Sequence, residues 1–221
     1  MITDVSLPAW YIYGAGGLGL ETMDILTSCI NSGTVPPHAC SFLVDNPEGK
    51  TVNGYPLVSF TECDPTAKVT IAVGEPEIRS QLAEKCLAKG LVLSTLVSPH
   101  AYVSDSAVLD EGVVIAPFVS VQASAKISRN VAVNTQAIVG HHVTVSEHAV
   151  ISSQVNLGGA SAVGAKSYVG MGVLVRELLT IGESSIVGMG SVVHRDIPDG
   201  VIAIGNPARP AKRNENKRVF S

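Results

Sequence analysis

From Val103 to Val193 every sixth residue is aliphatic, sixteen positions in succession without an exception. Val, Ile and Leu fill 32 of the 96 residues from 103 to 198, so chance yields such a run with a probability of roughly 10⁻⁸. A period of six matches neither the 3.6 of an amphipathic helix nor plain strand alternation. The unit must be a short strand plus a corner, repeated. The residue two before each aliphatic is also small or aliphatic, as a narrow interior requires. Glycine follows the aliphatic at Gly140, Gly158, Gly164, Gly170, Gly182 and Gly188, and is expected to serve corner conformations. Three hexads close a triangular coil of 18 residues, so sixteen hexads give about five and a third coils. At about 4.8 Å per stacked strand the prism is about 25 Å tall.

Composition agrees with a chain built from small and β-branched residues: 46% is hydrophobic, 15% charged and 5% aromatic, with 21 glycines. An average domain carries about 25% charged residues. A net charge of −4 argues against a nucleic-acid partner. No apolar run approaches the roughly 18 residues of a membrane span, and Met1-Ile-Thr-Asp4 lacks a basic leader, so no membrane insertion and a cytoplasmic location are expected. Cys29, Cys40, Cys63 and Cys86 show no C-x-x-C spacing and read as buried thiols.

Residues 1–97 follow another grammar. Ala9-Trp-Tyr-Ile-Tyr13 reads as a buried strand, Gly14-Ala-Gly-Gly-Leu-Gly19 as a turn, and Leu20 to about Ile30 as a helix. Strand, glycine turn and helix in that order can cradle a nucleotide phosphate on bare N–H groups, with Gly14, Gly16 and Gly17 as the contacts. Tight packing of strand on helix is the alternative use of those glycines. Ser41-Phe-Leu-Val-Asp45 is a second strand whose terminal carboxylate stands where such folds meet a ribose or base. Lys68–Val73 is a third strand, and Gly74–Arg79 opens a helix that runs to Lys89 and closes at Gly90. The expected architecture is an α/β domain with a small mainly parallel sheet over 1–97, a parallel β-helix over 98–208, and a basic tail over 209–221.

Tandem [LIV]-G-x-x-x-x hexads resemble the left-handed β-helix of the hexapeptide-repeat acyltransferases, and the left hand comes from that resemblance, since a period of six does not set it. With the glycine turn, the chain from Tyr11-Ile-Tyr-Gly-Ala-Gly-Gly17 to Gly205-Asn-Pro-Ala-Arg209 is similar to the bacterial nucleotide-sugar N-acetyltransferases and sialic-acid O-acetyltransferase-like proteins. The resemblance implies acetyl-CoA as co-substrate, no metal cofactor, a nucleotide-linked 4-amino-4,6-dideoxy sugar (GDP- or UDP-linked) as acceptor for surface glycans, and a homotrimer with sites between prisms. O-acetylation of a sialic-acid-like sugar is the runner-up within the class, and a repeat-built scaffold the non-enzymatic alternative.

Acyl transfer from a thioester needs a base, an oxyanion donor and alignment of two substrates. The repeats hold no cysteine and no Gly-x-Ser-x-Gly elbow, so direct attack is favoured over an acyl-enzyme. His141 and His142 sit at a coil corner, pointing away from the interior; they are either solvated corner residues or the base, since an imidazole accepts a proton at neutral pH. In the resembling family the pattern is His followed by an acid, so the base carries over to His141. His142 departs from it, so either another acid such as Glu147 or Asp105 takes the carboxylate's place or the base is less strongly poised. One coil beyond His141 is Gly159, to which the family's oxyanion-binding amide maps and which also borders the coenzyme; a glycine chosen only for its corner conformation is the alternative. The resemblance adds Asn134 for the sugar, and Gly188, Gly205, Pro207 and Ala208 for the coenzyme. Arg209, with Lys212, Arg213, Lys217 and Arg218, could meet coenzyme phosphates. A metal on His141, His142 and His148 is the rival reading, disfavoured because successive corners do not stack.

Overall fold

The computed structural model describes residues 7–220; the Met1–Asp4 stretch read for a leader lies outside them. The α/β domain comprises β1 (Ala9–Tyr13), α1 (Gly17–Asn31), β2 (Ala39–Val44), β3 (Thr51–Val52), β4 (Tyr55–Ser59), β5 (Lys68–Ile71), α2 (Pro76–Lys89) and β6 (Val92–Leu93). Its sheet has the order β3-β4-β2-β1-β5-β6, parallel except for the β3–β4 hairpin, which the sequence reading missed. Gly16, in an extended conformation, is the N-cap of α1, so the helix takes in Gly17 and Gly19 and starts three residues earlier than expected. Gly90, at φ 94°, ends α2 as expected.

Seventeen two-residue strands, β7 (Leu96–Val97) to β23 (Val192–Val193), follow at six-residue intervals. From β7 to β20 each pairs in parallel with the strand 18 residues on, as Val114 with Ala132 and Ile115 with Val133. Three sheets result, called here the first face (β7 to β22, every third strand), the second (β8 to β23) and the third (β9 to β21), each ending in a corner of the same number. The repeating aliphatics point inward and from Ile115 to Val169 are no more than 1% exposed, each worth about 1.5–3 kcal/mol of burial. The hairpin of β24 (Val201–Gly205) and β25 (Ala208–Arg213) joins β22 and caps the column. The first residues of the basic tail, 209–213, are therefore part of a ladder strand.

The corner glycines need a correction. From Gly112 to Gly190 every sixth residue has φ between 51° and 71°, but these lie two residues after the expected glycines, and most are not glycine. Gly140, Gly158, Gly164, Gly170, Gly182 and Gly188 have ordinary φ. Five of them serve close stacking of coils: a Cβ on Gly140 would stand 2.6 Å from Leu157 O, and one on Gly164 would stand 2.5 Å from Glu183 N.

Two seams join the domain to the prism. Trp10, Ile12, Met23, Leu26 and Phe42 share one apolar core with Leu96, Val114 and the prism interior. On the other seam α2 rests on the third corner through Arg79, which is fully buried and donates to carbonyl oxygens of Ile71 (2.8 Å), Val73 (3.1 Å) and Asn130 (2.9 and 3.1 Å) and to Asn130 Oδ1 (2.9 Å). Burial pulls this guanidinium down to about 9. Asn130 returns a bond from Nδ2 to Arg79 O (3.0 Å) and donates to His148 Nδ1 (3.0 Å). Around the edge, Arg129 meets Glu84, Glu111 and Glu147, and Lys166 meets Glu77.

All four cysteines are buried thiols, with Cys40 pushed up to about 11 and Cys86 to about 12 by burial. No helix among the described residues is long and apolar enough to cross a membrane.

His148 makes the second seam sensitive to acid. Burial lowers its pKa, outweighing the nearby Glu147 carboxylate, with Arg129, Arg79 and Lys166 adding to the lowering. The folded state prefers it neutral, whereas the unfolded chain protonates it near 6.5. Below that pH the unfolded state binds more protons, so stability falls as pH falls until the folded-state value is passed. The Tm measured from pH 7.5 to 5 is expected to drop along this limb, and His148→Gln to flatten it; an unchanged slope in the variant would exclude His148 as the cause.

Candidate active site

The 18-residue register stacks Asp105, Ala123, His141, Gly159, Glu177 and Arg195 in one column along the second corner. His141 and His142 follow β14 (Ile138–Val139) and both are exposed. His142 takes the left-handed corner conformation, φ 60°, and donates its N–H to Ala123 O (3.0 Å). This backbone turns its ring against that of His141: the planes are 85° apart and the two Nδ1 atoms are 3.1 Å apart. One Nδ1 must carry a proton and the other accept it. When His141 is the donor, its Nε2 keeps a free lone pair, the tautomer a base requires.

That Nε2 faces Gly159. A Cβ there would overlap the imidazole, with Nε2 as the nearest atom and Cε1 at 2.5 Å. Gly159 does not have a left-handed φ, whereas Ala160 does, at 56°. The glycine is thus explained by the ring beside it and not by corner geometry. Ala160 N–H donates to His141 O (2.8 Å) and Gly159 O accepts from Leu178 N–H (3.0 Å), which holds the two coils in register. The N–H of Gly159 itself has no acceptor among the described residues.

The expected acidic partner is elsewhere. Glu147 is on the third corner with Arg129 (3.3 Å) and His148 (3.8 Å). Asp105 lies in the His141 column but two coils down, about 10 Å at the usual strand spacing. His142 occupies the orienting place instead.

At the glycine turn the two uses of glycine separate by position. Gly14, at φ 114°, packs on Ala72 O, where a Cβ would come within 2.8 Å, and a Cβ on Gly19 would overlap Gly14 O. Around Gly16 and Gly17 a Cβ would meet nothing within 4 Å. Packing accounts for the first pair; the second exposes bare backbone at the start of α1. Asp45 Oδ1 accepts from Tyr13 Oη (2.6 Å) and from Lys85 Nζ, which together hold its carboxyl below the usual range. Both of these partners are on Oδ1.

Asn134 stands on the first corner, one face away from His141. It lines a cleft of about 240 Å³ between α1 and the lower coils, with Glu21, Asp24, Ser98, His100 and Thr135. His100 stacks on Phe118, ring centroids 6.0 Å apart. The sequence reading missed Glu21, Asp24 and His100, because the helical carboxylates look like a solvated face until α1 is seen against the prism.

Gly188 gives room to Ile204, whose Cγ2 would stand 2.7 Å from a Cβ. Gly205, Pro207, buried Ala208 and exposed Arg209 form the first-corner end of the capping hairpin. Lys212, Arg213 and Arg218 lie at its opposite end, so the basic residues do not form one patch. No group of three or more metal-ligating side chains occurs among the described residues.

A triangular hexapeptide column bearing a corner histidine beside a free backbone amide, joined to an α/β domain with a bare glycine turn, defines a hexapeptide-repeat acyltransferase. The acetyltransferase domain of PglB from Neisseria gonorrhoeae FA1090 superposes with a TM-score of 0.85 at 33% identity, over 92% of this chain and 99% of that one, and has also been solved with acetyl coenzyme A. The chain belongs to the left-handed β-helix sugar N-acetyltransferases. Perosamine N-acetyltransferase from Caulobacter crescentus, solved as a histidine-to-asparagine variant with CoA and GDP-perosamine, superposes with a TM-score of 0.83 at 30% identity over 91% of this chain and 96% of that one. In sequence, GDP-perosamine N-acetyltransferase of Escherichia coli O157:H7 is 32% identical over 115 residues, 50% of this chain; the match spans about half of that relative, 52% of its length. No protein-family model matches the chain.

Because Gly159 has an ordinary φ, Gly159→Ala should fold with a stability loss under about 1 kcal/mol. It should nevertheless displace the His141 ring and lower acetyl-transfer turnover by about 100-fold, the usual cost of misplacing a reacting group by about 1 Å. Tm and kcat measured on one preparation separate the two effects.

Proposed function

We propose that the chain is an acetyl-CoA-dependent N-acetyltransferase of a nucleotide-linked 4-amino-4,6-dideoxy sugar, working in the cytoplasm, where both co-substrates are made, to supply surface glycans. The observation that carries this reading is the pairing of His141 Nε2 with the unpartnered amide of Gly159 on adjacent coils. The relatives solved with acetyl coenzyme A and with GDP-perosamine support the substrate classes.

In the proposed reaction the sugar amine attacks the thioester carbonyl directly. As the C–N bond forms, His141 Nε2 takes the amine proton, while its Nδ1–H stays bonded to His142. The developing oxyanion is met by the Gly159 N–H, a fixed dipole that needs no reorganisation. Collapse breaks the C–S bond, and the coenzyme leaves as a thiol after taking up the proton. Gly16 and Gly17 would face the sugar nucleotide's phosphates and Asp45 Oδ2 its base or ribose, with Asn134 positioning the sugar. Gly188, Gly205, Pro207, Ala208 and Arg209 would border the coenzyme.

Asn134 and His141 lie on successive corners, so one chain holds two half-sites separated by the second face. The outward positions of that face are Tyr102, Ser120, Ile138, Asn156, Leu174 and Val192, without a charge. Tyr102 and Leu174 are 63% and 49% exposed, and Phe118, Met171, Met189 and Leu178 extend the apolar area over both flanking corners. Three copies turning this face to a common axis bring the first corner of each against the second corner of the next, completing three sites. That complementarity supports a homotrimer.

Mass spectrometry after incubation with acetyl-CoA and a panel of GDP-, UDP- and dTDP-linked 4-amino sugars, with free sialic acid included, should show a gain of about 42 Da on one nucleotide sugar, the mass of one acetyl group replacing a proton. A gain on sialic acid alone would overturn N-acetylation. His141→Asn is expected to lower kcat by about 10²- to 10⁴-fold, the range for a general base, with little change in acetyl-CoA affinity.

A further inference from the structure

Residues 214–220 return from the cap to the α/β domain. Asn214 turns the chain at the third corner, giving its N–H to Gly200 O (2.8 Å) and its side-chain amide to Ser184 O (2.9 Å). Five residues on, the N–H groups of Val219 (2.8 and 3.1 Å) and Phe220 (2.6 Å) both reach the Glu75 carboxylate. Glu75 is the N-cap of α2, yet its side chain makes no capping bond to that helix. A cap carboxylate ordinarily accepts from the first-turn amides; here it holds residues 219 and 220 instead.

The Phe220 ring lies on Gly74, where a Cβ would stand 3.3 Å from it, and meets Tyr168 of the first face edge-on, centroids 5.7 Å apart. Gly74 has no left-handed φ. A side chain at this position would crowd the Phe220 ring.

The docking place is specific. In the order β3-β4-β2-β1-β5-β6 the direction of winding reverses beside β1, and sheets of this kind bind ligands at the carboxyl ends of their strands next to such a reversal. One wall of that crevice is the Gly14–Gly17 turn, which packs through Gly14 on Ala72 and Val73. The other is the 72–75 loop, on which Phe220 sits, 56% exposed. Beside it, a cleft of about 510 Å³ between residues 214–219 and the hairpin is lined by Lys212, Arg213 and Arg218 against one carboxylate, Glu215.

We propose that residues 214–220 form a wall of the nucleotide-sugar site, with Phe220 packing against the nucleoside and Lys212, Arg213 and Arg218 attracting the diphosphate. This rests on the reading that the α/β domain holds the nucleotide. It assigns the distal basic residues to the sugar nucleotide, since they lie at the far end of β25 from Arg209 and the coenzyme border.

Phe220→Ala, and a variant ending at Asn214, are expected to raise KM for the acetylated nucleotide sugar about tenfold, the loss typical of one aromatic contact to a base, while KM for acetyl-CoA stays unchanged. Phe220→Tyr should restore the parent value. Arg218→Ala should raise the same KM and weaken its dependence on salt. Calorimetric titration with GDP, UDP and dTDP reads the same loss without turnover. Unaltered nucleotide affinity in both Phe220→Ala and the shortened chain, with acetyl transfer intact, would overturn the proposal alone. Equal loss of acetyl-CoA affinity, unrescued by Phe220→Tyr, would mark a structural role and overturn it too. A parent chain that binds none of the three nucleotides and transfers no acetyl group would overturn it together with the functional reading.

Discussion

Parallel pairing at a constant offset of 18 residues is the constraint on which the rest of the molecule depends. Each two-residue strand is too short to be stable alone and acquires its hydrogen bonds only from the coils above and below. The offset fixes which side chains share a column. It places Gly159 over His141, where the missing Cβ makes room for the ring, and Asn130 below His148 on the corner that receives α2. An insertion of one residue between the members of either pair would separate them and turn the aliphatics that follow it in that coil outward.

The prism needs a second constraint at its corners, where a left-handed residue recurs every six positions. Non-glycine residues accept this conformation at a cost of order 1–2 kcal/mol, offset by the corner N–H bonds to the coil below, such as that of His142 to Ala123. The same conformation sets the His142 ring across His141. A backbone conformation required by the scaffold thus sets His142 against the proposed base, in the place where the family pattern has an acid.

Much of this was legible in the sequence. The period, the coil length, the three main strands of the α/β domain and its two helices could be read because each is a local pattern of apolar residues and glycines. His141 and Gly159 could be paired because their spacing equals the coil. The 214–220 segment read only as basic composition, since the partners of Phe220 and Val219 are about 145 residues away. In the sequence Arg79 marks only the opening of a helix, and its carbonyl ligands from β5 and the third corner show it to be the buried clasp between the two parts.

By itself the sequence determined a solenoid with an α/β domain ahead of it and the column in which His141 and Gly159 stack, because a strict repeat converts spacing directly into position. Tertiary structure alone decided which glycines pack against a neighbour, which side chain lies against His141, and that Asn134 and His141 stand on different corners. Those outcomes depend on which faces meet and how closely, and distances between coils and between domains are not encoded in any local run of residues.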